Sequence, residues 1–145
     1  MSSQTLNQSV IGATKVGASK YSKVLLVDDN SLDNFVNKKL LESNGFAEVV
    51  TAYQSPIEAL DFIKKAKLTD LPEVIFLDIN MPEMDGFQFL DAFAQLSEET
   101  QQQCKIIMLS TSESFKDLNR ANKNCFIKKF LNKPLTVQTI QAINV

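Results

Sequence analysis

The sequence predicts an α/β fold: a doubly wound parallel sheet of five strands with helices on both faces. Three observations carry this. Short continuous apolar runs recur along the chain, as in strands buried on both faces. Segments with helical apolar spacing stand between them. Each run ends at polar or acidic residues, as strands do where such a sheet meets its ligands. The chain has 145 residues, enough for one domain with one substantial core.

The elements follow in order. Residues 1–22 are rich in Ser, Thr, Gln, Gly and Ala without a sustained period, and read as a flexible tail before a domain over 23–145. Val24–Val27 is the first strand, ending at Asp28-Asp29-Asn30. A helix follows, with Leu32, Phe35, Val36, Leu40 and Leu41 as its apolar face, and Asn44-Gly45 stops it. Val49–Ala52 is the second strand. Ser55-Pro56-Ile57-Glu58 reads as a capping box with Pro at the first helical position, opening a helix toward Lys67. Val74–Leu77 is the third strand, ending at Asp78. Asn80–Gly86 is a loop by its Pro, Asn and Gly content, and Phe87–Leu96 is helical. Lys105–Leu109 is the fourth strand, ending at Ser110-Thr111, and Ser114 is placed to cap a helix over Phe115–Ala121. A less clean fifth strand is flanked by Cys125-Phe126-Ile127 and Phe130-Leu131. Lys133-Pro134 stops it, and Thr136–Ile143 is a short last helix.

Composition narrows the function. Charged residues make up 22% and apolar residues 44%, with a formal net charge of -2. That balance argues against a generic nucleic-acid binder. There is no histidine, so His-based general bases, His-ligated metals and a phosphohistidine on this chain are excluded. Cys104 and Cys125 lack a CxxC arrangement and read as two ordinary thiols of a reducing compartment. No apolar run reaches the roughly 18 residues of a membrane span, and no secretory signal is evident. The expected location is the cytoplasm. Charge is segregated: residues 24–104 carry 5 lysines against 15 acids, and residues 105–145 carry 7 Lys+Arg against 2 acids.

In a parallel sheet the residues just after the strands converge on one edge. Here these are Asp28-Asp29, Asp78, Ser110-Thr111 and Lys133. Clustered carboxylates repel unless a cation compensates, and an all-oxygen set suits Mg2+ or Mn2+. A lysine ammonium and a Ser or Thr hydroxyl can hold phosphoryl oxygens. An Asp beside a metal can act as a nucleophile toward phosphorus. Taken singly, each of these residues is more often a cap or a solvated turn residue. The ordered set is far more specific and describes a phosphoryl-accepting site.

These residues resemble the receiver domain of two-component response regulators. The resemblance covers about residues 22–145. It rests on Val-Leu-Leu-Val-Asp28-Asp29-Asn30, Leu-Asp78-Ile-Asn80-Met81-Pro82-Glu-Met-Asp85-Gly86, Ile-Ile-Met-Leu-Ser110-Thr111 and Phe130-Leu-Asn-Lys133-Pro134. It implies the flavodoxin-like (βα)5 fold with strand order 2-1-3-4-5. It implies Asp78 as phosphoacceptor, and Asp28, Asp29, Asp78 and the backbone carbonyl of Asn80 around Mg2+, with Mn2+ as an alternative. Asp29 is the implied direct ligand and Asp28 acts partly through water. Ser110 matches the switch hydroxyl, with Thr111 as runner-up, and Lys133 matches the phosphate-binding lysine. The Lys133-Pro134 bond is expected to be cis, and Phe130 matches the aromatic switch position. Phe130 departs from the frequent Tyr, and Asn122-Lys123-Asn124 replaces the usual small residue before the fifth strand.

The implied role is a single-domain regulator, not an ordinary enzyme, with slow self-dephosphorylation. A sensor histidine kinase or histidine phosphotransfer protein supplies the phosphoryl group. Output leaves through the face of the fourth helix, fifth strand and fifth helix, which also serves such domains for self-association. That face is basic, with Lys116, Arg120, Lys123, Lys128 and Lys129, so an acidic downstream partner is expected. Nucleic acid and membrane are not expected partners. Two rival readings stand beside this one. A metal-dependent phosphatase or phosphotransferase would want a second carboxylate where Asn80 stands, and a phosphorylation-independent module would not need Asp28, Asp29, Asp78 and Lys133 intact.

Overall fold

The structure, a computed structural model, describes residues 19–111 and 115–145, and the backbone alone of Phe115 and Lys116. The expected cap at Ser114 lies outside the described residues. Along the chain run β1 (Tyr21–Val27), α1 (Ser31–Ser43), β2 (Ala47–Tyr53), α2 (Pro56–Lys65), a 3-10 turn (Leu68–Asp70), β3 (Val74–Asp78) and α3 (Gly86–Phe93). Then come α4 (Glu98–Gln103), β4 (Lys105–Ser110), α5 (Phe115–Asn122), β5 (Ile127–Asn132) and α6 (Val137–Gln141). The sheet has five strands in the order β2-β1-β3-β4-β5, and every pair is parallel. This is the flavodoxin-like receiver fold. The expected output face is α5–β5–α6 in this numbering.

Alternation along the strands builds two cores. Leu25, Val27, Ile75, Leu77, Ile106 and Met108 face one side, under Ala59 and Ile63 of α2, Phe89, Leu90 and Phe93 of α3 and Ala121 of α5. Val24, Leu26, Val74, Phe76, Ile107 and Leu109 face the other, under Leu41 of α1 and Ile140 of α6. Every residue of β3 is buried, as expected for the central strand of a sheet covered on both faces.

The caps are those a helix needs for its unpaired N–H groups. Asn30 caps α1 by accepting from Asp33 N, and Gly45, at φ +71°, closes its end. Ser55 caps α2 by accepting from Glu58 N, with Pro56 opening the helix. The reciprocal capping boxes are on α3, between Asp85 and Gln88, and on α6, between Thr136 and Thr139. So the last helix starts one residue later than the motif suggested, with Thr136 outside it.

Several sequence expectations are corrected. β1 starts at Tyr21 and β2 runs from Ala47 to Tyr53, both beyond their apolar runs. Register explains this: Tyr21 pairs with Ala47 and Val27 with Tyr53. β5 begins at Ile127, so Cys125 and Phe126 precede it. The predicted helix over 87–96 ends at Phe93, and a separate α4 of sequence Glu-Glu-Thr-Gln-Gln-Gln follows. That helix carries no apolar residue, so no periodicity reveals it; Ser97 starts it by accepting from Thr100 N. On α1 the expected apolar face is largely turned outward. Leu32, Phe35 and Val36 are exposed, while Asn34, Asn37 and Leu41 are buried.

One outer edge of the sheet is β2. There Lys38 Nζ donates to Val50 O at 2.7 Å and Val50 N donates to Glu42 Oε2 at 3.3 Å. The two side chains also pair with each other at 2.9 Å, one helical turn apart. At the other end of the fold the Tyr21 hydroxyl accepts from Val145 N at 3.0 Å, which seats the last residues against β1.

Candidate functional site

Three strands deliver the site, because their carboxyl ends lie along the same edge of the parallel sheet. Asp28 follows β1, Asp78 ends β3 and Lys133 follows β5. Lys133 N donates to Ser110 O at 2.8 Å, so the end of β4 is tied to the lysine. Ile79 N donates to Leu109 O, and Gly86 N donates to Ile79 O, which folds the loop of residues 79–85 back beneath the strand ends. Gly86 is required there: a Cβ would stand 2.8 Å from the carbonyl oxygen of Asp78 and 3.1 Å from Met108 Cε.

Asp28 is buried and well supported. Its Oδ1 accepts from Asn30 N at 2.9 Å and its Oδ2 from Lys133 Nζ at 2.7 Å. Its carbonyl accepts from Asn34 Nδ2 at 2.8 Å, which explains why α1 turns that asparagine inward. Asp29 is exposed at the rim. Asp78 is 5% exposed, and its Oδ1 stands 3.3 Å from Lys133 Nζ. Burial, and then the charges of Asp28 and Asp29, push the Asp78 carboxyl up to about 6 against the pull of Lys133. For Lys133, burial alone would lower the pKa. The hydrogen bond that Lys133 donates to Asp28 and the charges of Asp78 and Asp28 outweigh it, so the ammonium is held well above the usual lysine value.

One carboxylate oxygen from each of Asp28, Asp29 and Asp78 lies within 4.8 Å of the others. Three hard oxygen donors at this separation fit a divalent cation such as Mg2+, which prefers carboxylates and keeps several waters. The structure therefore brings Asp28, Asp29, Asp78 and Lys133 together, with Ser110 fully buried beside them at the end of β4. Thr111 is exposed, as is the Asn80 side chain in the loop. Phe130 is half-buried against the core of α2 and α3. The Lys133-Pro134 peptide is cis.

One member escaped the sequence reading. Asp33, in the first turn of α1, places Oδ2 3.2 Å from Lys133 Nζ. An acid in a first helical turn is ordinary helix chemistry, so nothing in the sequence singled it out. The exposed apolar residues of α1 lie beside it on the surface of the same helix. Away from the site, the Cys104 thiol is buried and pushed up to about 12 by that burial, which makes it inert, while Cys125 is exposed. Among the described residues no helix is long and apolar enough to cross a membrane.

Comparison with known proteins agrees with this geometry. The chain is 39% identical over 74 residues to a protein-glutamate methylesterase/protein-glutamine glutaminase of Thiobacillus denitrificans, covering 51% of this chain and 20% of the relative. It is 36% identical over 93 residues to a second such protein of Vibrio vulnificus, covering 64% of this chain and 24% of that one. The chain thus spans about a fifth to a quarter of the length of these relatives. Among solved structures, a response regulator receiver protein of Dyadobacter fermentans superimposes with a TM-score of 0.76 at 29% identity, over 83% of this chain and 92% of that one. A CheX-CheY-BeF3-Mg complex from Borrelia burgdorferi gives 0.67 at 26% identity, over 83% of this chain and 84% of that chain. The model of the response regulator receiver domain matches residues 24–144. The match spans most of the chain, and the chain belongs to the response regulator receiver domain family.

Proposed function

We propose that the chain is a phosphorylation switch whose acceptor is Asp78. One observation carries this reading. A buried carboxylate at the end of the central strand shares one lysine with a second buried carboxylate, beside a cluster fit for a cation. A partner phosphohistidine presents its phosphoryl group, the N–P bond breaks, and an O–P bond forms to an Asp78 carboxylate oxygen. The donor imidazole must belong to a kinase or phosphotransfer protein, since this chain has no histidine. Mg2+, when bound, offsets the charge of Asp28, Asp29, Asp78 and the phosphoryl oxygens.

The chain's own residues do the rest. Lys133 exchanges its bond to Asp78 Oδ1 for a phosphoryl oxygen, and the Asn80 carbonyl would join Asp28, Asp29 and Asp78 in holding the metal. Ser110, buried at the end of β4, is favoured over the exposed Thr111 as the hydroxyl that draws toward the phosphoryl group. Phe130 then turns into the space that Ser110 leaves. This is a local charge event that biases a two-state element. The α5–β5–α6 face reads it out to an acidic partner or a second copy through Lys123, Lys128 and Lys129. Arg120 is exposed, with its guanidinium 4.1 Å over the Phe87 ring. The folded unit includes Tyr21, where β1 begins, and runs on to residue 145; it works in the cytoplasm, and it hydrolyses its own phospho-Asp78 slowly. The methylesterase relatives are four to five times longer than the matched stretch, and we assign this chain the receiver's role alone.

The test is incubation with acetyl phosphate, or with beryllofluoride, in the presence of Mg2+. We expect one modification or one tightly bound adduct, abolished by Asp78→Asn. Multiple turnover on small phosphates would indicate an enzyme instead, and no modification under any condition would sink the reading.

A further inference from the structure

The Lys133 ammonium has three N–H donors and no acceptor. Three carboxylates surround it: Asp28 at 2.7 Å, Asp33 at 3.2 Å and Asp78 at 3.3 Å. Two of them belong to the metal-capable cluster, and Asp33 does not. Asp33 is also the wettest of the three, with its side chain 41% exposed against 5% and 6% for Asp28 and Asp78. Its backbone is fixed, because Asp33 N donates to the capping Asn30 Oδ1 at 3.0 Å. The carboxylate is thus anchored at the rim, on the solvent side of the lysine.

That placement matters once a cation and a phosphoryl group arrive. A divalent cation neutralises the charge of Asp28 and Asp78 toward the lysine, but leaves Asp33 with its full attraction. The phosphoryl oxygens must then draw the ammonium away from a fixed anion at the rim.

We propose that Asp33 is a positioning residue that restrains Lys133 at the rim and competes for it with the phosphoryl oxygens on Asp78. This rests on the phosphoacceptor reading above. An ion pair worth roughly 0.4–1 kcal/mol, the upper part of the range for partly exposed pairs, means that removing the competitor strengthens anion binding about two- to fivefold.

The experiment measures Mg2+-dependent beryllofluoride affinity for the wild type, Asp33→Asn and Asp33→Glu, together with the 15Nζ signal of Lys133 in metal-free protein. Asn keeps the size and the cap, and Glu keeps the charge. We expect Asp33→Asn to bind beryllofluoride about two- to fivefold more tightly and to shift the Lys133 signal, while Asp33→Glu stays near the wild type in both. Unchanged or weaker binding by Asp33→Asn would overturn the proposal. So would a gain in affinity without a change at Lys133 Nζ, because the carboxylate would then act on the anion directly. If the wild type binds no beryllofluoride, the phosphoacceptor reading falls first and this proposal with it.

Discussion

The two strand–helix units that carry the buried carboxylates are built by opposite means. In β3–α3 the helix buries Phe87, Phe89, Leu90 and Phe93, and apolar packing holds it to the sheet. In β1–α1 the helix buries Asn34, Asn37 and Leu41, and leaves Leu32, Phe35 and Val36 in solvent. Asn34 reaches back to the carbonyl of Asp28, and Asn30 N bonds the Asp28 carboxylate. One carboxylate therefore sits in a polar harness, while the other stands at the end of a fully buried strand. The difference shows in Asp78, which burial pushes up to about 6. On the proposed reading, the acceptor carboxylate stands where burial disfavours its charge.

Substitutions can break this contrast, and the largest effect belongs to the packed unit. Phe93→Ala removes a fully buried ring and should cost about 3–5 kcal/mol by urea unfolding. Asp78→Asn should do the reverse in metal-free protein. The folded-state value of about 6 lies above the ordinary 3.8, so the folded protein keeps a proton that the unfolded chain releases between those pH values. Stability then falls as pH rises through this window and stays reduced above it. With EDTA at pH 8, Asp78→Asn should be more stable than wild type by up to about 2–3 kcal/mol, and near pH 4 the two should converge. Equal stability at both pH values would refute the contrast. Gly86→Ala drives a methyl into the Asp78 carbonyl and should cost about 1–3 kcal/mol, read as a lower urea midpoint. The smallest effect is expected on the polar unit. Phe35→Ser, at a residue 61% exposed, should change stability by less than about 0.5 kcal/mol. A loss above 1 kcal/mol would mean that this ring packs in solution.

The same contrast explains what could be read in advance. Buried strands announce themselves as apolar runs, and α3 as an apolar helical pattern, so order, parallel pairing and converging strand ends were legible in residues such as Val24–Val27 and Val74–Leu77. Periodicity failed where polar groups do the structural labour. It assigned Leu32, Phe35 and Val36 to the interior, when the bond from Asn34 to the Asp28 carbonyl sets how α1 is turned. It missed α4, held by a serine cap with no apolar residue. Asp33 was invisible for a related reason. Its contact with Lys133 spans 100 positions of sequence, and only the folded chain brings the two together.

The Lys38–Glu42 pair is weak as an ion pair, one helical turn apart and open to water. Its consequence lies elsewhere. By bonding both the N–H and the C=O of Val50, it occupies backbone groups on an outer strand that could otherwise recruit a foreign strand. β2 is seven residues long and carries an exposed Val49, the profile of a strand prone to edge-to-edge aggregation. Two charged side chains of α1 thus act as a guard rail along one edge of the sheet, satisfying at Val50 the backbone groups that a foreign strand would need.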